Sequence, residues 1–200
     1  GYHRPNVIAE GVKPQPSALN HAQVEPLVQQ ADWLLVFDAD EFLSINHPSG
    51  HLNGMLDDAV AQGATGVAIG TIWDPIAVQL CMIAGEGAEM LLRFGAKSAP
   101  FTGDPVDALI RVIRVNPTAE MRFGESVVPF GPAVRIALLT PEGAETGIEV
   151  ILNTVRAQSF DPSLFTALGI DPMEQKILVI KSTNHFFASF QPLAAEILYC

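Results

Sequence analysis

Two groups of polar side chains, each directly after an apolar run, are the residues of this 200-residue sequence best suited to chemistry. In the first group, Asp38 and Asp40 follow the run Trp33–Phe37. Two carboxylates two residues apart can share one divalent cation, which in turn can neutralise a diphosphate leaving group. With ten aspartates in 200 residues, such an Asp-x-Asp pair can also arise by chance. The triplet Asp38-Ala39-Asp40 alone is therefore weak evidence for a metal site.

The second group, Lys181, Ser182 and His185, follows the apolar run at residues 177–180. Ligands of open parallel sheets bind beyond the carboxyl ends of the strands, so side chains at such an end can reach a cleft. Lysine and histidine placed there could bind a substrate carboxylate or steer an oxyanion. Alternatively, these residues could cap a following helix, with Lys181 simply solvated.

The elements that must position these groups can be predicted from apolar periodicity and from turn residues. Asp74 before Pro75 is a typical helix start, and we expect that helix to run to Gly95 with Cys81 as a core residue. We expect further helices near residues 52–59, over 161–168 and from 183 onward with a kink at Pro192. Strands are predicted at residues 33–37, 66–72, 108–115, 133–139, 148–152 and 177–180.

These elements predict an α/β fold with a mixed sheet and flanking helices. An N-terminal strand-helix-strand unit is expected first, followed by an α/β domain. The segment Gly95-Ala96-Lys97-Ser98 ends like a phosphate loop, but Met90 stands where that loop requires a glycine, so we expect no nucleotide site there.

Composition excludes some classes of partner. Eleven Lys and Arg against 22 Asp and Glu give a net charge of −11, so we expect no nucleic-acid partner and no membrane partner. No apolar run approaches the roughly 18 residues of a spanning helix. The two cysteines, Cys81 and Cys200, imply neither a disulfide framework nor a zinc site. We therefore expect a reducing, cytoplasmic location. Because the chain starts at Gly1 without a methionine or a signal-like segment, we expect processing or a fragment.

The first third of the chain resembles the family two glycosyltransferases over roughly residues 14–69. The resemblance rests on the string from Ala31 through Leu43, followed by Gly50 and an apolar stretch at residues 52–56. It implies that Asp38 and Asp40 hold a divalent cation such as manganese together with a nucleotide-sugar diphosphate. The family's preceding nucleotide-binding strands and its acceptor half do not appear in this sequence.

Residues 69–200 resemble the C-terminal domain of microcystinase C (MlrC-type) metallopeptidases. The matching strings occur in the family's order and include Gly70-Thr71-Ile72-Trp73-Asp74-Pro75, Gly95-Ala96-Lys97-Ser98, Gln158-Ser159-Phe160-Asp161-Pro162 and Lys181-Ser182-Thr183-Asn184-His185-Phe186. The family comprises zinc-dependent hydrolases of linear, toxin-derived peptides or related amides. From their place after a buried strand we predict catalytic roles for Lys181 and His185, and we predict substrate contacts by Ser182 and by Gln158.

The sequence therefore predicts two units, residues 1–68 and 69–200. We expect the second to be the C-terminal domain of a zinc metallopeptidase acting on a small peptide or amide, inactive alone because the family's zinc ligands lie in its N-terminal domain. The alternatives are a fragment of a metal-dependent glycosyltransferase and a non-functional fusion of the two. Only 16% of residues are charged, so we also expect self-association through exposed apolar faces.

Overall fold

All strands in the described part of the chain belong to one eight-stranded sheet. A computed structural model describes residues 33–37, 66–98, 104–182 and 185–199. Its strands lie in the order β3-β4-β5-β6-β2-β7-β1-β8. Their bounds are β1 Trp33–Phe37, β2 Val67–Trp73, β3 Glu89–Phe94, β4 Val106–Phe123, β5 Ser126–Leu139, β6 Glu145–Asn153, β7 Ile177–Lys181 and β8 Glu196–Tyr199. The helices are α1 Pro75–Ala84, α2 Ser163–Thr166 and α3 Phe187–Phe190, with a 3-10 turn at Pro172–Glu174.

The sheet has a parallel half and an antiparallel half. Strands β6, β2, β7, β1 and β8 run parallel to one another. Strands β3, β4, β5 and β6 form an antiparallel meander. The expected α/β class with a mixed sheet is confirmed. No helix within the described ranges is long and apolar enough to cross a membrane.

Each face of the sheet carries its own apolar core, as the alternation of side chains along a strand requires. On one face, α1 packs Ala77, Val78 and Cys81 against the sheet. On the other face, α2 and α3 contribute Leu164, Phe165 and Phe190. Strands buried on both faces read as continuous apolar runs, and β7, with Leu178, Val179 and Ile180 buried, was recognisable in this way at residues 177–180.

The β4–β5 hairpin is much longer than the predicted strands and reaches beyond the sheet. Its pairing has register shifts between Val112 and Arg114 and between Asn116 and Glu120. The backbone N–H of Arg122 donates to Ser163 Oγ at 2.8 Å, and Asn116 Nδ2 donates to the carbonyl oxygen of Ala167 at 3.0 Å. The hairpin therefore packs its distal part against α2.

The prediction that the helix after Asp74 continues to Gly95 was wrong. The helix ends at Ala84, and Gly85 and Gly87 adopt φ values of 84° and 86°, which side-chain-bearing residues rarely tolerate. The chain then enters β3, so residues 89–94 form a strand rather than the last turns of the helix, and Leu91 is exposed.

The prediction of a helix from residue 183 onward was also wrong in the described part of that segment. Only Phe187–Phe190 is helical, and Glu196–Tyr199 forms the edge strand β8 beside β1. The helix expected over residues 161–168 is present in shorter form at Ser163–Thr166. The helix expected near residues 52–59 lies outside the described residues.

A fully buried carboxylate joins three of these elements. Asp74 Oδ1 accepts from the backbone N–H of Ala77 at 3.0 Å and thereby caps α1. Asp74 Oδ2 accepts from the backbone N–H of Gly95 at 3.0 Å and from the ammonium of Lys97. Asp74 therefore ties the end of β2, the start of α1 and the end of β3 together. The segment that resembles the end of a phosphate loop supplies its lysine to this contact.

We expect Asp74→Ala to lower the free energy of unfolding by about 2–4 kcal/mol, because it removes a helix cap and strands a half-buried ammonium. Asp74→Asn can still cap the helix and should cost less. Urea unfolding followed by circular dichroism measures both. Asp107→Ala is the matched control, since its exposed pair with Arg93 should contribute little. Equal losses for Asp74→Ala and Asp107→Ala would contradict the assigned role of Asp74.

The prediction that Cys81 is a core residue is confirmed, and its burial sets its reactivity. Burial, with a smaller contribution from Asp74, raises the pKa of the Cys81 thiol from 9.0 to about 11. At neutral pH we therefore expect a thiolate fraction roughly 100-fold below that of an unhindered cysteine. Mass spectrometry after iodoacetamide treatment should show Cys81 labelled in urea but protected in the native protein. Rapid native labelling would contradict the burial.

The raised pKa also fixes the sign of an alkaline pH effect. The neutral thiol is favoured in the folded state, so this contribution to stability is complete below pH 9 and is lost as the pH rises through about 11. Cys81→Ala should remove that part of the alkaline destabilisation.

Candidate functional site

The candidate site lies at one edge of the sheet, where the five parallel strands end. In register, Phe37 at the end of β1 lies beside Lys181 at the end of β7. Trp73 at the end of β2 lies beside Asn153 at the end of β6. This carboxyl edge is the usual place for ligands in parallel sheets.

Three of the predicted site residues meet at the centre of this edge. Lys181 is the half-buried last residue of β7, and the buried Ser182 follows it. Ser182 Oγ donates to Gln158 Oε1 at 3.5 Å, and Gln158 is itself half-buried. The structure therefore brings Ser182 and Gln158 into contact next to the backbone of Lys181, although 22 residues and more separate Gln158 from the other two.

A residue that sequence reasoning did not select holds this group in place. The side chain of Ser159 is fully buried and donates to the carbonyl oxygen of Gly70 at 3.0 Å. The backbone N–H of Ser159 donates to the carbonyl oxygen of Lys181 at 2.8 Å, and the Lys181 N–H donates to Ser159 Oγ at 3.3 Å. Ser159 therefore joins the loop that carries Gln158 to both β2 and β7. Its position between Gln158 and Phe160 gave no periodic signal.

His185 lies in a separate contact, an aromatic cluster formed by Phe123, Phe160 and His185. Its imidazole meets the Phe123 ring edge-on at a centroid distance of 5.5 Å and the Phe160 ring at 6.0 Å. The two phenylalanine rings are 4.5 Å apart. His185 is exposed, and 43% of the surface of Phe123 is accessible to solvent. The β4–β5 hairpin thus brings an apolar surface to the predicted histidine, and Phe160 connects it through Ser159 to Gln158.

A second polar group, also missed in the sequence, lies at the ends of β2 and β6. The indole Nε1 of Trp73 donates to the carbonyl oxygen of Thr154 at 2.9 Å, and the Arg156 guanidinium lies 5.7 Å from the Trp73 ring centroid. The buried Asn153 donates through Nδ2 to Val155 O at 2.6 Å, while its Oδ1 has no hydrogen-bond partner in the described part of the chain. Trp73 and Asn153 directly follow two predicted strands, and this position was the sequence signal that could have identified them.

The described residues do not form a metal centre. Within residues 33–37, 66–98, 104–182 and 185–199, no three His, Cys, Asp or Glu side chains are grouped closely enough to hold a metal ion. His185 contacts rings rather than carboxylates there. Asp38 and Asp40 come directly after β1 in sequence but lie outside the described residues, so the predicted divalent-cation site stays a prediction.

Comparison with known proteins supports one of the two resemblances. The family model described as MlrC C-terminus matches residues 49–200. Microcystinase C of a Sphingomonas species is 29% identical over 164 residues, a match that covers 78% of this chain and 30% of that protein. A crystal structure at 2.13 Å resolution of a Mesorhizobium sp. BNC1 protein assigned as a metallopeptidase superposes with a TM-score of 0.65. It is 19% identical, and the superposition covers 92% of this chain and 35% of that one, so it shows the fold alone.

This chain spans about a third of the length of these relatives. The family match begins at residue 49, ahead of the boundary expected at residue 69, and β1 lies between β7 and β8 in the shared sheet. The division into residues 1–68 and 69–200 and the glycosyltransferase resemblance stay predictions. Since the matched segment includes most of the chain and nearly all of the described sheet, the chain belongs to the MlrC C-terminus family.

Proposed function

We propose that this chain acts as the C-terminal domain of an MlrC-type hydrolase that cleaves peptide or related amide bonds. Its contribution is to bind and orient the substrate at the carboxyl edge of the sheet. Family membership and the relative named Microcystinase C support the reaction class. The grouping of Lys181, Ser182 and Gln158 at the end of β7 is the observation that carries the proposal.

Lys181 supplies positive charge at a point where a peptide substrate can use it. Cationic side chains are the minority in this chain, which has 11 Lys and Arg against 22 Asp and Glu. An ammonium group at this edge would bind a substrate carboxylate or stabilise a developing oxyanion. Its backbone is fixed by two hydrogen bonds to Ser159, which limits the positions that the side chain can reach.

Ser182 and Gln158 act together rather than as two independent contacts. Because Ser182 is buried, its hydroxyl orients the Gln158 amide by donating to Oε1. The amide nitrogen Nε2 of Gln158 is not used in this contact. In this proposal Gln158 Nε2 donates to a carbonyl oxygen of the substrate.

The resemblance to zinc-dependent hydrolases implies a catalytic zinc, but the described residues do not fit such a site. They lack a group of three suitable ligands, and His185 lies in the aromatic cluster. The proposal therefore places the zinc ligands outside the described residues and assigns to this part of the chain only substrate contacts.

The glycosyltransferase alternative depends on Asp38 and Asp40. The one structural observation on its side is that β1 is a parallel strand that ends directly before Asp38. However, β1 lies between β7 and β8 and thus within the sheet of the MlrC-type fold, which favours the hydrolase. Calorimetry with manganese and a nucleoside diphosphate, compared between the natural chain and Asp38→Ala, distinguishes the two functions.

The hydrolase proposal can be tested by complementation. The purified chain is mixed with the part of Sphingomonas sp. Microcystinase C outside the match, in the presence of zinc, and hydrolysis of a linear peptide is followed by liquid chromatography and mass spectrometry. We expect cleavage from the mixture and none from either component alone. Absence of cleavage from a mixture that forms a complex would count against a competent C-terminal domain.

In the complemented enzyme, we expect Lys181→Met to lower kcat/KM about 10–100-fold, because one charge-assisted contact to the substrate is lost. Lys176→Met is the matched control. Lys176 is exposed at the opposite end of the same segment, just before β7 begins, so it should leave the rate unchanged. A similar loss for both variants would show that general charge, rather than the carboxyl edge, matters.

His185 can act through its nitrogens or through its ring. If it transfers or donates a proton, His185→Phe and His185→Ala should both lower kcat, by about 100-fold or more. If it only completes the aromatic cluster, His185→Phe should keep kcat and His185→Ala should mainly raise KM. The predicted catalytic role requires the first result, and retention of kcat by His185→Phe would reassign His185 to substrate binding.

A further inference from the structure

The sheet ends in a strand whose outer side has no partner among the described strands. This edge strand is β3, Glu89–Phe94, which pairs only with β4. On the face away from α1 it presents Glu89, Leu91 and Arg93, and Leu91 keeps 75% of its surface exposed. On the other face, Leu92 and Phe94 are buried under α1. An exposed edge of this kind is a template for pairing with another strand.

The side chains of β4 that lie opposite β3 show what kind of strand pairs well with β3. Glu89 lies opposite Arg111, Leu91 opposite Leu109 and Arg93 opposite Asp107. Arg111 Nη2 donates to Glu89 Oε1 at 2.7 Å, and Arg93 Nε donates to Asp107 Oδ1 at 2.7 Å. Each of these ion pairs holds the pKa of its arginine above the usual value, and that of Asp107 below its usual value. Along β3 from Glu89 to Arg93, the opposing side chains of β4 are therefore a cation, a leucine and an anion.

Strand β3 itself has that pattern when it is read in the opposite direction. In an antiparallel pair of two β3 strands centred on Leu91, Glu89 of each copy faces Arg93 of the other. Leu91 faces its own equivalent, so the most exposed apolar side chain of the strand becomes covered. A second β3 would thus repeat the sequence of charges and leucine that β4 already presents to the first.

We propose that two copies of this chain associate through β3, forming a two-fold symmetric dimer with a continuous sheet. Edge strands that resist pairing usually carry like charges, bulges or prolines. In β3, by contrast, the two charges have opposite sign and lie at equal distances from Leu91, so self-pairing is attractive. A two-fold axis requires this kind of self-complementary patch.

The charge of the chain favours a second copy at this patch over an acidic or a basic partner. Two chains of net charge −11 repel over most of their surfaces, and the described face of β3 is locally neutral. A strand pair of six residues is small compared with a standard interface, so we expect a weak dimer with a dissociation constant on the order of 1–100 μM. This inference does not depend on the proposed enzymatic function.

Sedimentation velocity over a range of concentrations tests the dimer. We expect the 200-residue chain to shift toward twice its 21.4 kDa mass as concentration rises. Leu91→Lys should keep it monomeric by placing two ammonium groups face to face at the axis. Ile83→Lys is the matched control, because Ile83 is equally exposed, at 77%, but lies on α1, on the opposite face of the sheet from Leu91. A dimer lost in Ile83→Lys and kept in Leu91→Lys would overturn the proposal.

Charge exchange tests the register. Arg93→Glu alone sets Glu89 against a glutamate in a homodimer, and Glu89→Arg alone sets Arg93 against an arginine, so each variant should be monomeric. An equimolar mixture restores both opposite-charge pairs and should dimerise. Circular dichroism and thermal melting confirm that both variants are folded. A mixture that stays monomeric while the natural chain dimerises would show that another surface makes the contact.

Disulfide trapping tests independently whether the two Leu91 positions lie opposite each other in the dimer. Directly opposed residues of an antiparallel pair have Cα atoms about 4.5–5.5 Å apart, within disulfide range. In a Cys200→Ser background, Leu91→Cys should therefore form an intermolecular disulfide on mild oxidation, and Ile83→Cys should not. Equal cross-linking of both variants, or a natural chain that is monomeric at every concentration, would overturn the proposal.

Discussion

One fully buried carboxylate, that of Asp74, joins three elements of the described fold. A carboxylate without solvent contact is costly unless hydrogen bonds and an opposite charge satisfy it. Asp74 meets that condition by accepting from Ala77, Gly95 and Lys97, which belong to α1 and to the segment after β3. The contact therefore fixes the direction in which the chain leaves the parallel half of the sheet and the point at which the antiparallel meander starts.

The second constraint is the order of the parallel strands. Strand β1 comes early in the chain but lies between β7 and β8, which come last. As a result, the carboxyl edge combines segments that are far apart in sequence, and no short motif contains the whole candidate site. Ser159 is the residue that joins these segments most directly, since it bonds to Gly70 on β2 and to Lys181 on β7.

Local patterns were sufficient for most of the strands and for the start of α1. Buried parallel strands produce uninterrupted apolar runs, and Asp74 before Pro75 marked the start of α1 correctly. The two errors have one physical cause, because helical spacing of apolar residues also occurs by chance in short strands. After Ala84, two glycines with positive φ end the helix, and at Glu196–Tyr199 the available edge of β1 selects a strand. Neither the turn nor the edge is visible as a period in the sequence.

The sequence by itself determined the carboxyl ends of β1, β2, β6 and β7 to within one residue, the polar residues that follow them and the family to which they are similar. Lys181, Ser182 and His185 could be identified as candidates because they follow a buried strand within recognisable strings. Only the tertiary structure decided that Ser182 is buried against Gln158, that His185 lies with Phe123 and Phe160, and that β3 is an edge. Burial and contact depend on which distant strands pair. That choice is made by the packing of two apolar faces over the whole sheet rather than by any local run of residues.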